Sequence, residues 1–350
     1  MKNISLGWQS WSPLIRKWHG FPLWDYNPLP EKVRKYQVNK KSRAAAIKYW
    51  CSWYAHGWNI TDTIIDATLH LIKQQELRFT HILIDDGWTT WGDWHSPELA
   101  RFPNLAGTVK KIRSHKLQAG IWFAPFLASN KSRLFQEHPG WFIKHNGSLI
   151  QGMKTAPIWE PFLPKRYLLN FQLPPVRKYI TTFIDRAVKE WGITLIKLDF
   201  LYAPYFNPHH SADDIPHNQV KWLLRYIKTN YPKIYVIACG APFAPSLGIA
   251  DSIRISKDTA LPPPAPTLLN RFLYRSRVKM LAQKLKVLNH SPHFVADPDV
   301  RMFSLDTAFT RTIWDDIPAN VFGVGDNLTT LSPGKLNQLK LWLNKAPGIT

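Results

Sequence analysis

The chain has 350 residues, 45% of them hydrophobic, and carries 45 Lys and Arg against 24 Asp and Glu, a formal net charge of +21. That apolar share is enough for a large core, yet no stretch approaches the roughly 20 uninterrupted apolar residues of a membrane span, so a membrane protein is excluded and a soluble one expected. The basic excess raises nucleic acid as a partner, but the cations are spread through pairs such as Arg34-Lys35, Lys40-Lys41 and Lys110-Lys111, with one denser run from Arg271 to Lys286. This reads as a generally basic solvated surface, and nucleic acid is not an expected partner.

The first residues, Met1 to Trp8, contain no apolar h-region and no small-residue cleavage site, so export by that route is not encoded and a cytoplasmic location is expected. Two tryptophans, Trp8 and Trp11, then precede a polar, Lys-rich linker. From about residue 46 strand-like and helix-like segments alternate, the pattern of a parallel sheet with crossover helices. Strands are predicted near Lys48–Tyr54, Phe79–Asp85, Gln118–Ala124, Leu195–Phe200, Lys233–Cys239, Asp251–Ile255, Pro292–Ala296 and Asn320–Val324. The two cysteines, Cys51 and Cys239, fall in these strands and read as buried reduced thiols rather than a disulfide framework.

Between the strands, Val176, Ile180, Phe183, Ala187 and Trp191 form one helical stripe and Val220, Leu223, Leu224 and Ile227 another, each suited to packing one face on a barrel. Gly192 supplies a stop for the first, and Ser332-Pro333 opens the last helix. Residues 129–175 are too long for a simple strand-to-helix loop and are assigned to the rim of a site mouth, and the proline run from Leu261 to Pro266 to a stiff extended connection. The fold class expected is α/β, a (β/α)8 TIM barrel, which needs about 250 residues plus insertions.

Chemistry concentrates where these strands end. Asp199 closes the run Leu195-Ile-Lys-Leu-Asp-Phe200, and Asp258 follows Ile253-Arg-Ile-Ser-Lys257. Each is a carboxylate at the C-terminal edge of a barrel strand, where loops converge on one mouth, and a pair of carboxylates is what glycosidic bond cleavage requires. Asp85-Asp86 ends the second strand; both can turn into the mouth to accept from sugar hydroxyls, or one can cap the next segment. Trp122 and Trp88 lie at strand ends with Trp50, Trp53, Trp91 and Trp94 nearby, as either sugar-stacking walls or core. Lys197 shares a strand face with Asp199, where its ammonium can bind hydroxyls and hold Asp199 ionised. Arg254 interrupts its strand before Asp258, and Cys239 either lines a pocket or packs in the core. The stretch from His209 to Asp214 reads as a polar loop rather than a metal site, and Asp297-Pro-Asp299 as structural or rim. With no P-loop, dinucleotide fingerprint or zinc spacing, neither metal nor cofactor is expected.

Seven segments, in order, resemble the catalytic barrel of glycoside hydrolase family 36, the retaining α-galactosidases (melibiases) and their raffinose-synthase relatives. They are Gly7-Trp-Gln-Ser-Trp-Ser-Pro13, Trp50-Cys-Ser-Trp-Tyr54, Ile84-Asp-Asp-Gly-Trp88, Gly120-Ile-Trp-Phe-Ala-Pro125, Ile196-Lys-Leu-Asp-Phe-Leu201, Cys239-Gly-Ala-Pro242 and Ile253-Arg-Ile-Ser-Lys-Asp-Thr259. The resemblance implies that Asp199 is the nucleophile and Asp258 the general acid/base, and that Asp85 and Asp86 hold the 4- and 6-hydroxyls. Lys197, Trp122, Cys239 and Arg254 line the same galactose subsite, and Trp53 and Trp8, in two of the matched motifs, are further candidate contacts. It implies residues 1–45 as an extension resembling the end of the family's N-terminal β domain, residues 46–350 as the catalytic barrel, an α-galactoside substrate, and a possible homo-oligomer. The alternatives are an α-galactosyl transferase, an α-N-acetylgalactosaminidase, or a non-catalytic barrel that binds glycans or a polyanion.

Overall fold

The computed structural model describes residues 46–153, 164–209, 216–288, 295–317 and 321–345, so Trp8, Trp11 and the rest of the N-terminal extension lie outside the described residues. Nine short strands form one parallel sheet: β1 (Ile47–Cys51), β2 (His81–Ile84), β3 (Gln118–Phe123), β4 (Leu195–Leu198), β5 (Tyr235–Ala238), β6 (Ser252–Arg254), β7 (Val295–Asp297), β8 (Val300–Arg301) and β9 (Val321–Val324). Most are buried along their whole length, as strands covered on both faces must be. Each of the eight expected strands is present, within a few residues of where the sequence puts it.

The sheet runs β7-β6-β5-β4-β3-β2-β1-β9-β8. Its two outermost strands are consecutive in the chain, separated only by Pro298 and Asp299. Strands β7 and β8 are therefore one barrel stave broken in the middle: the first half pairs with β6, setting Asp297 opposite Arg254, and the second with β9, setting Val300 opposite Gly323. Pro298 has no N–H to give a ladder, and Asp299 adopts φ +82°, so the chain steps from one neighbour to the other and the barrel closes. The step also drives the Asp299 carboxylate inward, where it is 1% exposed.

Among the described residues, seven helices of eight or more residues surround the sheet: α1 (Asp62–Gln74), α2 (Leu105–Ser114), α3 (Pro174–Lys189), α4 (Pro216–Asn230), α5 (Thr267–Leu288), α6 (Ala308–Asp315) and α7 (Pro333–Lys345). In α3 the predicted Val176, Ile180, Phe183 and Ala187 are buried, and in α4 so are Val220, Leu223, Leu224 and Ile227. Among the described residues no helix is long and apolar enough to cross a membrane. The long insertion after β3 is not a plain loop: Leu127–Ser129, Gln151–Met153 and Arg166–Leu168 form a small antiparallel sheet on the rim.

Closure at the broken stave leaves no room at Gly323, where a Cβ would stand 2.7 Å from the Asp299 carbonyl and 2.7 Å from the Tyr49 ring. Gly323→Ala is expected to cost about 2 kcal/mol through overpacking and to lower the thermal midpoint by roughly 3 °C. An unchanged midpoint in calorimetry would show that the stave yields freely.

Candidate active site

Two of the buried ion pairs at the C-terminal edge of the sheet involve the predicted site residues. At its floor, Lys197 from β4 places Nζ 2.8 Å from Asp85 Oδ2, with both side chains almost wholly enclosed. Cys51 Sγ donates to the same oxygen at 3.2 Å, and Asp85 N donates to Ser52 Oγ at 2.9 Å. Burial alone would lower the ammonium of Lys197, but Asp85 first, then Cys51, Cys239 and Asp199, carry it well above its usual range. The direct ion pair of Lys197 is with Asp85, and its interaction with Asp199 is the weaker, longer-range one. Just beyond β4, Phe200 takes φ +53°, a left-handed conformation costly for a residue with a side chain.

The Asp199 carboxylate is held by two donors. Trp122 Nε1 donates to Oδ2 at 3.0 Å and Phe200 N to Oδ1 at 2.7 Å, leaving Asp199 half-buried. Trp122 thus acts as a donor that orients Asp199 as well as a wall. Asp86 has its own donors: Trp58 Nε1 reaches its Oδ2 at 2.7 Å and Trp91 Nε1 its Oδ1 at 2.8 Å. Burial pushes Asp86 up to about 6, against the pull of the two indoles and of Arg166. Arg166 lies over the Trp91 ring with Cζ 4.3 Å from its centroid, and its buried Nε has no partner among the described residues. Trp58, Asp86, Trp91 and Arg166 border a cavity of about 210 Å³.

The second ion pair is built on Arg254, the last residue of β6. Its Nη2 lies 2.5 Å from Asp299 Oδ2 and 3.1 Å from Asp258 Oδ1, with the guanidinium 1% exposed and the Asp258 side chain 54% exposed. Nη1 reaches Cys239 Sγ at 4.0 Å. Burial pushes the Cys239 thiol up, and the negative charges of both Asp199 and Asp258 push it further. Burial also raises the Tyr202 phenol, and the same two carboxylates again add to the shift. One thiol and one phenol therefore feel Asp199 and Asp258 together.

The structure thus gathers Asp85, Asp86, Trp122, Lys197, Asp199, Cys239, Arg254 and Asp258 at one edge of the barrel. Trp53 is half-buried, packed edge-on against Trp58 with ring centroids 5.4 Å apart; Trp8 lies outside the described residues. Trp50, Trp88 and Trp94 are core: Trp50 Nε1 donates to the Asp326 carbonyl at 2.8 Å, and Trp88 stacks on Phe183. His209 meets His145 at 2.7 Å on the rim, its neighbours 210–214 lie outside the described residues, and no metal-binding cluster occurs among the described residues. Sequence reasoning missed Trp58, Arg166 and Tyr54 and left Asp299 as structural or rim. Nothing in local pattern marks the first three; Asp299 was visible as the second acid of Asp297-Pro-Asp299.

A family model described as Melibiase matches residues 27–242. Among curated proteins the chain is similar to alpha-galactosidase 2 of Hypocrea jecorina, 29% identical over an alignment of 182 positions that covers 46% of this chain and 22% of that protein. It is also similar to the A type blood alpha-D-galactosamine galactosaminidase of Flavonifractor plautii, 28% identical over 47% of this chain and 16% of that one. The matches thus span less than a quarter of either relative. Among solved structures, TtGalA, an alpha-galactosidase from Thermus thermophilus in complex with stachyose, aligns with a TM-score of 0.70 at 25% identity, covering 91% of this chain and 70% of that one. AgaA from Geobacillus stearothermophilus shares the fold with a TM-score of 0.60 at 17% identity, over 87% of this chain and 42% of that one.

Removing one member of a buried ion pair strands the other. Lys197→Met is expected to lose about 3 kcal/mol of stability in denaturant titration, and Lys197→Met/Asp85→Leu to regain most of it. Equal loss in both variants would mean that the pair is not the unit of stabilisation.

Proposed function

The chain belongs to the melibiase family, glycoside hydrolase family 36, and from that premise we propose that it hydrolyses terminal α-linked galactose with retention of configuration. The observation that carries this reading is that Asp199 and Asp258, delivered by different staves, bear on the same buried wall of Cys239 and Arg254. A retaining glycosidase needs two carboxyl groups about 5 Å apart across one anomeric carbon, one poised to attack and one able to give a proton.

In the proposed reaction Asp199 attacks C1 as the bond from C1 to the glycosidic oxygen breaks, and Asp258 gives its proton to that oxygen. A galactosyl ester of Asp199 and a free alcohol result. Asp258, now ionised, takes a proton from water as the water oxygen attacks C1, releasing Asp199 and galactose and restoring the acid. The hydrogen bonds from Trp122 and the Phe200 amide fix the attacking carboxylate without consuming its charge. Asp258, the more exposed of the pair, is suited to exchange protons with the leaving group and with water. Asp85 and Asp86 hold the 4- and 6-hydroxyls, with Lys197, Trp122, Cys239, Arg254 and Trp53 lining the rest of the subsite. Arg166 joins them, since its orphaned Nε is a buried donor beside Asp86.

Asp199→Ala and Asp258→Ala test the assignment on an aryl α-galactoside. The first should lose about a thousandfold in turnover, roughly 4 kcal/mol of transition-state stabilisation, and recover in part with azide, giving β-galactosyl azide. Equal turnover by both variants and wild type would refute the roles, and the sugar released from a panel of aryl α-glycosides identifies the substrate.

Asp86 gives the pH dependence. Its carboxyl sits at about 6, so below that pH it takes a proton and loses its anionic acceptor, and galactose should bind less well as pH falls. Calorimetry on Asp199→Ala is expected to show galactose affinity dropping about tenfold from pH 7 to pH 5, with the dependence gone when Asp86→Asn is added. A dependence that survives Asp86→Asn would belong to another group.

A further inference from the structure

Arg254 serves two carboxylates of opposite character. Asp299 is buried and takes four donors on a single oxygen, Oδ2: Arg254 Nη2 at 2.5 Å, Tyr54 Oη at 2.6 Å, Thr259 N at 2.7 Å and Thr259 Oγ1 at 3.0 Å. Asp258 is exposed and meets the same Nη2 at 3.1 Å. A buried guanidinium that close to an acid catalyst works against it, because an adjacent cation favours the ionised form by about 1–3 pH units and an ionised Asp258 has no proton to give. Asp299 supplies the missing counter-charge on the far side of the same nitrogen.

We propose that Asp299 is a positioning residue acting through Arg254: it occupies the guanidinium and anchors Thr259, so that Asp258 keeps its proton and its place until the glycosidic oxygen arrives. This rests on the reading of Asp258 as the acid/base. Asp299 itself, almost without solvent access, does not touch the substrate.

The surroundings of Asp258 support this division. Besides Arg254 on β6 and Asp299 at the broken stave, it is faced by Tyr54 after β1, Tyr202 after β4 and Cys239 after β5. Burial raises all three of the latter groups and keeps them neutral near pH 7. Asp199 acts on the same thiol and phenol, Lys257 is the chain neighbour, and Arg277 Nη1 holds the Asp258 carbonyl at 2.6 Å. Arg254 and Asp299 are the buried charges in direct contact here, with Asp297 acting on Arg254 from β7 and Lys197 acting on Asp299 from β4. Asp299 is itself pushed up to about 6, by burial first, with Arg254 pulling it down and Asp258 pushing it up.

The test compares kcat/KM against pH for two α-galactosides, one with a sugar leaving group that needs a proton and one with 2,4-dinitrophenolate, which departs without one. Asp299→Asn is expected to move the basic limb for the sugar substrate down by about one pH unit or more, lowering kcat/KM about tenfold per unit above it, while the dinitrophenyl substrate changes less than about threefold. A limb that stays in place, or an equal loss on both substrates, overturns the proposal. Asp258→Ala must spare the dinitrophenyl substrate and cripple the sugar substrate; if it does not, the acid/base reading fails, independently of Asp299. Arg254→Gln/Asp299→Asn, which removes cation and counter-charge together, answers the question even if the single variant does not fold. Its limb should lie within about half a unit of wild type, and a limb raised by a unit or more would show that Asp299 was not offsetting Arg254.

Discussion

Charge taken out of water must be met by charge, and this rule organises the site more than any other. Lys197 with Asp85, and Arg254 with Asp299, are buried cations each held within 2.8 Å of a buried carboxylate. Neither member of either pair is tolerable alone in that setting, since an unpaired buried ion costs several kcal/mol. The pairs therefore fix where β1, β2, β4, β6 and the broken stave can stand relative to one another. The more accessible carboxylates, Asp199 and Asp258, are positioned by what these pairs leave over.

The same edge shows how one residue type is divided between two tasks. Trp88, Trp94 and Phe183 pack among themselves beneath the mouth. Trp58, Trp91 and Trp122 instead spend their indole N–H groups on the carboxylates of Asp86 and Asp199. A rigid ring with one polar corner suits both, burying area while presenting a donor at a fixed place. Such donors orient an anion without adding a cation, which leaves its charge available for chemistry or hydrogen bonding.

Much of the scaffold was legible from sequence for a simple reason. A strand buried on both faces must be a short apolar run, and a helix lying on the sheet must carry a 3.6-residue stripe, so β1 to β6 and α3 and α4 announced themselves. The ends of the strands were legible too, because Asp85, Lys197, Asp199 and Arg254 are charged residues at the margins of apolar runs. Pairing was not legible. Lys197 shares a strand with Asp199, but the Asp199 carboxylate is held by Trp122 and the Phe200 amide, and Asp85 takes the direct bond from the ammonium. Arg166, reaching Asp86 from a rim sheet formed by an insertion, had no local signature at all.

The sequence by itself determined the barrel, its staves, and the row of ionisable residues at their C-terminal ends, since burial and periodicity are properties of a segment. Only the tertiary structure decided which cation serves which carboxylate, which tryptophans are wall and which are core, and that the seventh stave breaks at Pro298-Asp299 to set an acid behind Arg254. Those are outcomes of closure: bringing the first and last staves together sets Asp299 beside Tyr54 and Thr259, residues far from it along the chain. A contact between distant residues depends on the geometry of everything between them, and no window of sequence contains that.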